Sequence, residues 1–104
     1  MRVLPTTAEG LAVAARCLRE GGIVGLPTET VYGLAAAFTL PAAVARVYAA
    51  KERPSFDPLI VHLADPGDLG TVARVDALGP LARDRLARLT AALWPGPLLS
   101  LIHI

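Results

Sequence analysis

Glycine and proline cut this chain into short pieces, and that punctuation constrains the fold more than any other feature. Breaks fall at Gly21-Gly22, Pro27, Pro41, Pro54, Pro58, Pro66-Gly67 and Trp94-Pro95-Gly96-Pro97. Proline fixes φ and lacks a donor, and glycine takes conformations that other residues avoid, so both mark the ends of regular elements. The intervals between them therefore hold short helices, short strands and loops. No apolar run approaches the roughly 20 residues of a membrane-spanning helix. With 104 residues the chain has room for one domain.

Periodicity assigns the pieces. Thr6 with Glu9 forms a capping box, opening a helix from about Thr7 to Glu20. Its apolar face is Leu11, Ala14, Ala15 and Leu18, and Gly21-Gly22 ends it. Ile23 to Leu26 reads as a short buried strand, and Pro27 to Gly33 as a polar loop leaving it. Pro41 suits a first helical turn, and the helix it opens carries Val44, Val47 and Tyr48 inward. That helix must stop by Arg53, because Pro54 disfavours helical backbone in the residue before it. Pro58 to Ala64 reads as a strand, with Leu59, Val61 and Leu63 on one face and Ile60, His62 and Ala64 on the other. Asp65 caps a short helix with Pro66 in its first turn. A longer helix follows, from Leu78 or Pro80 to Leu93, with Ala82, Leu86, Leu89 and Leu93 on one stripe. Leu98 to Ile104 reads as a last strand. Helices alternating with strands give an α/β class, and three strands are few for such a sheet.

Composition closes several function classes. Hydrophobic residues make up 54% and charged residues 18%, which excludes disorder. Nineteen of the apolar residues are Ala, so the core is expected to be built from small side chains. A net charge of +1 supplies no bulk basic field for nucleic acid. The lone Cys17 excludes an internal disulfide and a cysteine zinc site; amid apolar helical neighbours it reads as a small core residue. The first residues lack the apolar stretch of a secretory signal, so a cytoplasmic location and no membrane partner are expected. No His, Cys or carboxylate set stands at metal-ligand spacing, and neither G-x-G-x-x-G nor a Walker A pattern is present.

Three places can carry chemistry. The segment Pro27 to Gly33 bears the hydroxyls of Thr28, Thr30 and Tyr32. It stands at a strand end, where open α/β sheets bind ligands, or it is a turn whose threonines tie down backbone. Lys51 and Arg53 follow the second helix. They either complement the helix dipole or clamp an anion, the guanidinium as a planar fork and the ammonium as a compact charge. Lys51 is the single lysine beside nine arginines, a bias that base composition also explains. His62 is either a satisfied core histidine or a hydrogen-bonding group on the sheet surface. The residues alone reach an anion-binding α/β site.

In order, Gly21-Gly22-Ile23-Val24, Pro-Thr-Glu-Thr-Val-Tyr-Gly-Leu (27 to 34), Lys-Glu-Arg-Pro (51 to 54), Pro-Leu-Ile-Val-His (58 to 62) and Trp-Pro-Gly-Pro-Leu (94 to 98) resemble the YrdC-like family of threonylcarbamoyl-AMP synthases. The resemblance implies an open, twisted, mixed sheet flanked by helices. It implies a reaction joining L-threonine, bicarbonate and ATP into L-threonylcarbamoyladenylate with release of pyrophosphate. The product would serve tRNA modification next to the anticodon, completed by a separate tRNA-modifying transferase. By the same resemblance Thr30 and His62 are threonine ligands, and Lys51 and Arg53 are the catalytic cations facing ATP. Asp57 adjoins the nucleotide, Thr28 and Tyr32 shape the pocket, and Mg²⁺ rides on the phosphates. Asp57 stands where the family often has Asn, a carboxylate that repels phosphate unless Mg²⁺ or Arg53 neutralises it. Leu99 stands where Thr is usual. Family domains run to nearly twice this length. Residues 1–104 are therefore expected to be the N-terminal half of a YrdC-like domain, inactive alone, with residues 99–104 foreign to the pattern. Two alternatives stay open. One is a non-catalytic module contacting double-stranded RNA, against which stand five aromatics and a near-zero net charge. The other is part of a hydrogenase-maturation carbamoyltransferase, whose acylphosphatase-like and zinc-finger segments are expected to be missing from a chain starting at Met1.

Overall fold

The computed structural model describes residues 1–96. They fall into two compact units that divide between Ile60 and Val61.

The first unit opens with α1 (Ala8–Arg19). Its cap is Thr7 rather than the expected Thr6: Thr7 is extended, and its hydroxyl accepts from the Gly10 amide at 3.2 Å. Glu9 stays in the first turn, where the helix dipole favours a carboxylate. The expected face holds at Ala14, Ala15 and Leu18, the last two half-buried, and fails at Leu11. Gly10 and Ala14 are buried and Cys17 half-buried, whereas Leu11 is exposed. The N-terminal segment packs its backbone on the helix at Gly10. A Cβ at Gly10 would stand 1.9 Å from the Pro5 carbonyl oxygen. At the far end Gly21 takes φ +85, and the Gly21 and Gly22 amides donate to Leu18 and Cys17 carbonyls at 3.1 and 2.8 Å, ending the helix as expected.

β1 (Val24–Leu26) pairs antiparallel with β2 (Gly33–Ala35), with Val24 opposite Ala35 and Leu26 opposite Gly33. Gly33-Leu34-Ala35 has no β-branched residue to announce a strand, so the sequence pointed to a departing loop where the chain makes a hairpin. α2 (Pro41–Lys51) buries Ala43 and Val47 and half-buries Val44 and Tyr48, the face expected. The Arg46 guanidinium donates to the Gly21 carbonyl at 3.2 Å, tying α2 to the end of α1.

The expected strand over Pro58 to Ala64 does not form a ladder. Its alternation survives: Leu59, Val61 and Leu63 are half-buried, while Ile60, His62 and Ala64 are exposed. Alternation sets which side chains turn inward, but a strand also needs a neighbour to take its backbone hydrogen bonds, and 58–64 has none among the described residues.

In the second unit Asp65 accepts from the Gly67 amide at 2.7 Å and starts a 3₁₀ turn, Pro66–Asp68, that runs into α3 (Leu69–Val72). A second 3₁₀ turn, Val75–Ala77, precedes α4 (Pro80–Leu93). The α4 stripe differs from the expected one. Leu86 and Thr90 are half-buried, while Ala82, Leu89 and Leu93 are exposed. Arg83 donates to the carbonyls of Asp76 and Leu78 at 3.1 and 3.3 Å. That anchor turns the Arg83, Leu86 and Thr90 side of α4 toward Leu69 and Val75, with which it lines a shallow groove. The Thr90 hydroxyl is absorbed by the Leu86 carbonyl at 3.0 Å. Among the described residues the buried apolar side chains are Ala14, Ala43, Val47 and Leu69, the small-residue core that the alanine content implied. The strand expected over Leu98 to Ile104 lies outside the described residues.

Candidate functional site

Six of the seven candidate residues lie in the first unit. Thr28, Thr30 and Tyr32 occupy the β1–β2 hairpin loop, and Lys51, Arg53 and Asp57 follow the end of α2. His62 belongs to the second unit and is exposed.

Within the loop, Thr28 is the tie. Its Oγ1 accepts from the Thr30 and Val31 amides at 3.2 and 3.1 Å and donates to the Val31 carbonyl. This is the hydrogen-bonded turn that the residues allowed. Thr28 thereby spends its hydroxyl inside the loop. Thr30 keeps more freedom: its hydroxyl stands 3.3 Å from Thr28 Oγ1 and has no other partner among the described residues. Tyr32 is 82% exposed. The loop thus displays one hydroxyl and one phenol on a backbone fixed by another hydroxyl.

The second half of the site is built by the end of α2. Glu52 takes left-handed backbone, φ 53 and ψ 40. Its amide donates to the Ala49 carbonyl at 3.2 Å, and the Arg53 amide donates to Tyr48 at 3.0 Å. The paired bonds are a Schellman closure with glutamate where glycine is usual. Pro54 then starts a turn closed by the Asp57 amide on the Pro54 carbonyl at 3.1 Å. Tyr48 Oη donates to the Asp57 carbonyl at 2.5 Å and pins that turn to the helix. Periodicity gave Tyr48 only a packing role; the hint was that a half-buried tyrosine hydroxyl needs a partner.

The Lys51, Glu52 and Arg53 side chains are exposed and make no hydrogen bond or ion pair among the described residues. Nor does Arg53 neutralise the half-buried Asp57: the described ion pair is Arg88–Asp84, at 3.1 Å in α4. His62 also makes no hydrogen bond there, and its exposure removes the core-histidine reading. Two uncommitted cations beside a pinned turn suit an anionic ligand. No cluster of three or more His, Cys, Asp or Glu side chains able to hold a metal occurs among the described residues.

The Sua5/YciO/YrdC family model, described as "Telomere recombination", matches residues 16–103. The chain belongs to this family. Threonylcarbamoyl-AMP synthase of Bacillus subtilis is 45% identical over 95 residues, which are 91% of this chain and 26% of that protein. Threonylcarbamoyl-AMP synthase of Pyrococcus abyssi is 39% identical over 88 residues, 85% of this chain and 24% of the other. A solved structure of a doubly substituted Sua5 from P. abyssi superposes with a TM-score of 0.75 at 38% identity, covering 86% of this chain and 26% of that one. The Sua5-like α/β assignment is thereby shown, with a small sheet and helices corresponding to part of that fold. The chain spans about a quarter of the length of these relatives. No described helix is long and apolar enough to cross a membrane.

Proposed function

We propose that this chain carries one side of a site that makes L-threonylcarbamoyladenylate from L-threonine, bicarbonate and ATP, for tRNA modification. The observation that carries the reading is the pair Lys51 and Arg53, both uncommitted, in the same compact unit as the hydroxyl-bearing hairpin loop. Family membership gives that pair its context, because the relatives are named threonylcarbamoyl-AMP synthases.

A carboxylate, a bicarbonate and a triphosphate repel one another, so bringing them together needs fixed cations and hydroxyl donors more than a nucleophile. In this reading Arg53 offers its planar fork to phosphate or carbamate oxygens and Lys51 its ammonium to the triphosphate. Thr30 holds threonine, Tyr32 walls the pocket, and Thr28 holds the loop in shape. Mg²⁺ travels with the nucleotide: it keeps several waters and needs only one or two protein carboxylates, for which Asp57 is the candidate. Bound there, the ion would also relieve the repulsion between Asp57 and phosphate. The location proposed is cytoplasmic, and the tRNA-modifying transferase that takes the adenylate is the downstream partner.

The test is pyrophosphate release from ATP by the longest native polypeptide that contains these residues. Release should require both L-threonine and bicarbonate. Release without threonine overturns the reading.

A further inference from the structure

Glu52 is the single non-glycine residue with positive φ among those described. Left-handed backbone is rare for residues that carry a Cβ, and glycine or asparagine is the usual occupant of this helix-ending position. The exception falls between the two cations. The Glu52 carboxylate is exposed and has no partner among the described residues, so nothing holds the side chain in place. The backbone, in contrast, is held on both sides. The Ala49 and Tyr48 carbonyls take the Glu52 and Arg53 amides, and the Tyr48 hydroxyl secures the turn that Pro54 begins.

We infer that Glu52 is a positioning residue, acting through its left-handed backbone and not its carboxylate. One residue of reversed hand lets Lys51 remain on the last helical turn while Arg53 leaves the helix at once, so the cations diverge from a common corner. A residue of ordinary hand would carry Arg53 on along the helix axis. This inference rests on the proposed role of Lys51 and Arg53 toward ATP.

The experiment compares ATP affinity by calorimetry, with Mg²⁺ present, in the longest native polypeptide carrying these residues. Glu52→Gly, Glu52→Asn, Glu52→Ala, Glu52→Val and Arg53→Ala are measured beside the parent, and threonine affinity is read on each. Glycine and asparagine accept left-handed backbone and should stay within about threefold of the parent. Valine resists it and should weaken ATP binding by about tenfold or more, since small displacements of a binding group are costly. Alanine, unbranched at Cβ like glutamate, should stay near the parent, and the β-branched Glu52→Ile replaces valine in the comparison if that variant does not fold. Threonine affinity should hold across the series. Equal losses for Gly, Asn and Val would make the carboxylate the actor and overturn the inference. So would a uniform loss of threonine affinity, or an unchanged Val variant while Arg53→Ala binds ATP poorly. An Arg53→Ala variant that binds ATP normally would instead overturn the functional reading itself, and this inference with it.

Discussion

Arg53 and Gly10 show how much a single side chain, or its absence, can decide. Arg53 has no partner among the described residues, so its replacement should cost little stability and much function. Arg53→Lys keeps the charge but not the planar fork. Losing such a set of charged hydrogen bonds in a closed site costs about 2–4 kcal/mol, or roughly 30- to 1000-fold in rate. The expected outcome is a drop of that size in threonine-dependent pyrophosphate release with an unchanged melting temperature; unchanged kinetics would return Arg53 to a helix-end role. Gly10 makes the opposite case. In an ordinary helix Gly→Ala stabilises by up to about 1 kcal/mol. Here the new Cβ would stand 1.9 Å from the Pro5 carbonyl oxygen, so the N-terminal segment must move. Overpacking of this kind typically costs about 1–3 kcal/mol, enough to reverse the sign. Urea unfolding of Gly10→Ala should show lower stability than the parent, and a gain would mean that Pro5 does not pack there in solution.

Among the elements, the hairpin loop joins fold to site. Thr28 accepts two loop amides, so Thr28→Val frees both to water, while Thr28→Ser keeps them. An exposed hydrogen bond contributes about 0.5–1.5 kcal/mol. Amide exchange at Thr30 and Val31 should therefore speed up roughly 2- to 10-fold in the Val variant and stay near the parent rate in the Ser variant. The elements also show where a sequence stops being readable. Local rules served α1, α2 and α4, whose ends are set by Gly21, Pro41, Pro54 and Pro80 within a few residues of the break. They misplaced the α1 cap by one residue because two adjacent threonines compete, and only the Gly10 amide decides between them. They missed β2, since Gly33-Leu34-Ala35 becomes a strand only by pairing with β1. They read the alternation of 58–64 correctly and the pairing wrongly, since alternation is local and pairing is not. At the site, the candidates Thr28, Thr30, Lys51 and Arg53 were readable from residue type and order. The left-handed Glu52 was not, because nothing in Lys-Glu-Arg-Pro announces backbone of reversed hand.

At the scale of the whole molecule, few apolar side chains are covered. Ala14, Ala43, Val47 and Leu69 are buried, and no large side chain is fully enclosed among the described residues. Meanwhile Val31, Tyr32, Phe56 and Ile60 are exposed in the first unit, and Leu81, Leu89 and Leu93 in the second, Phe56 to 85%. Two further features point the same way. A two-stranded sheet is marginal in water without other elements to cover it, and the backbone of 58–64 takes part in no ladder among the described residues. Unpaired edges and apolar surface favour contact between copies, and a net charge of +1 gives little mutual repulsion to oppose it. The 104-residue chain on its own should therefore self-associate, with a weight-average sedimentation coefficient that rises with concentration. Because the driving surface is apolar, raising salt from about 0.05 to 0.5 M should leave the association intact or strengthen it, whereas ion-paired contacts would be screened. The substitution Phe56→Ser with Ile60→Ser removes two of the exposed groups while leaving the buried core untouched, and should shift the equilibrium toward monomer. A chain that stays monomeric at every concentration and melts in one cooperative transition would show that these side chains are covered in solution by the chain itself.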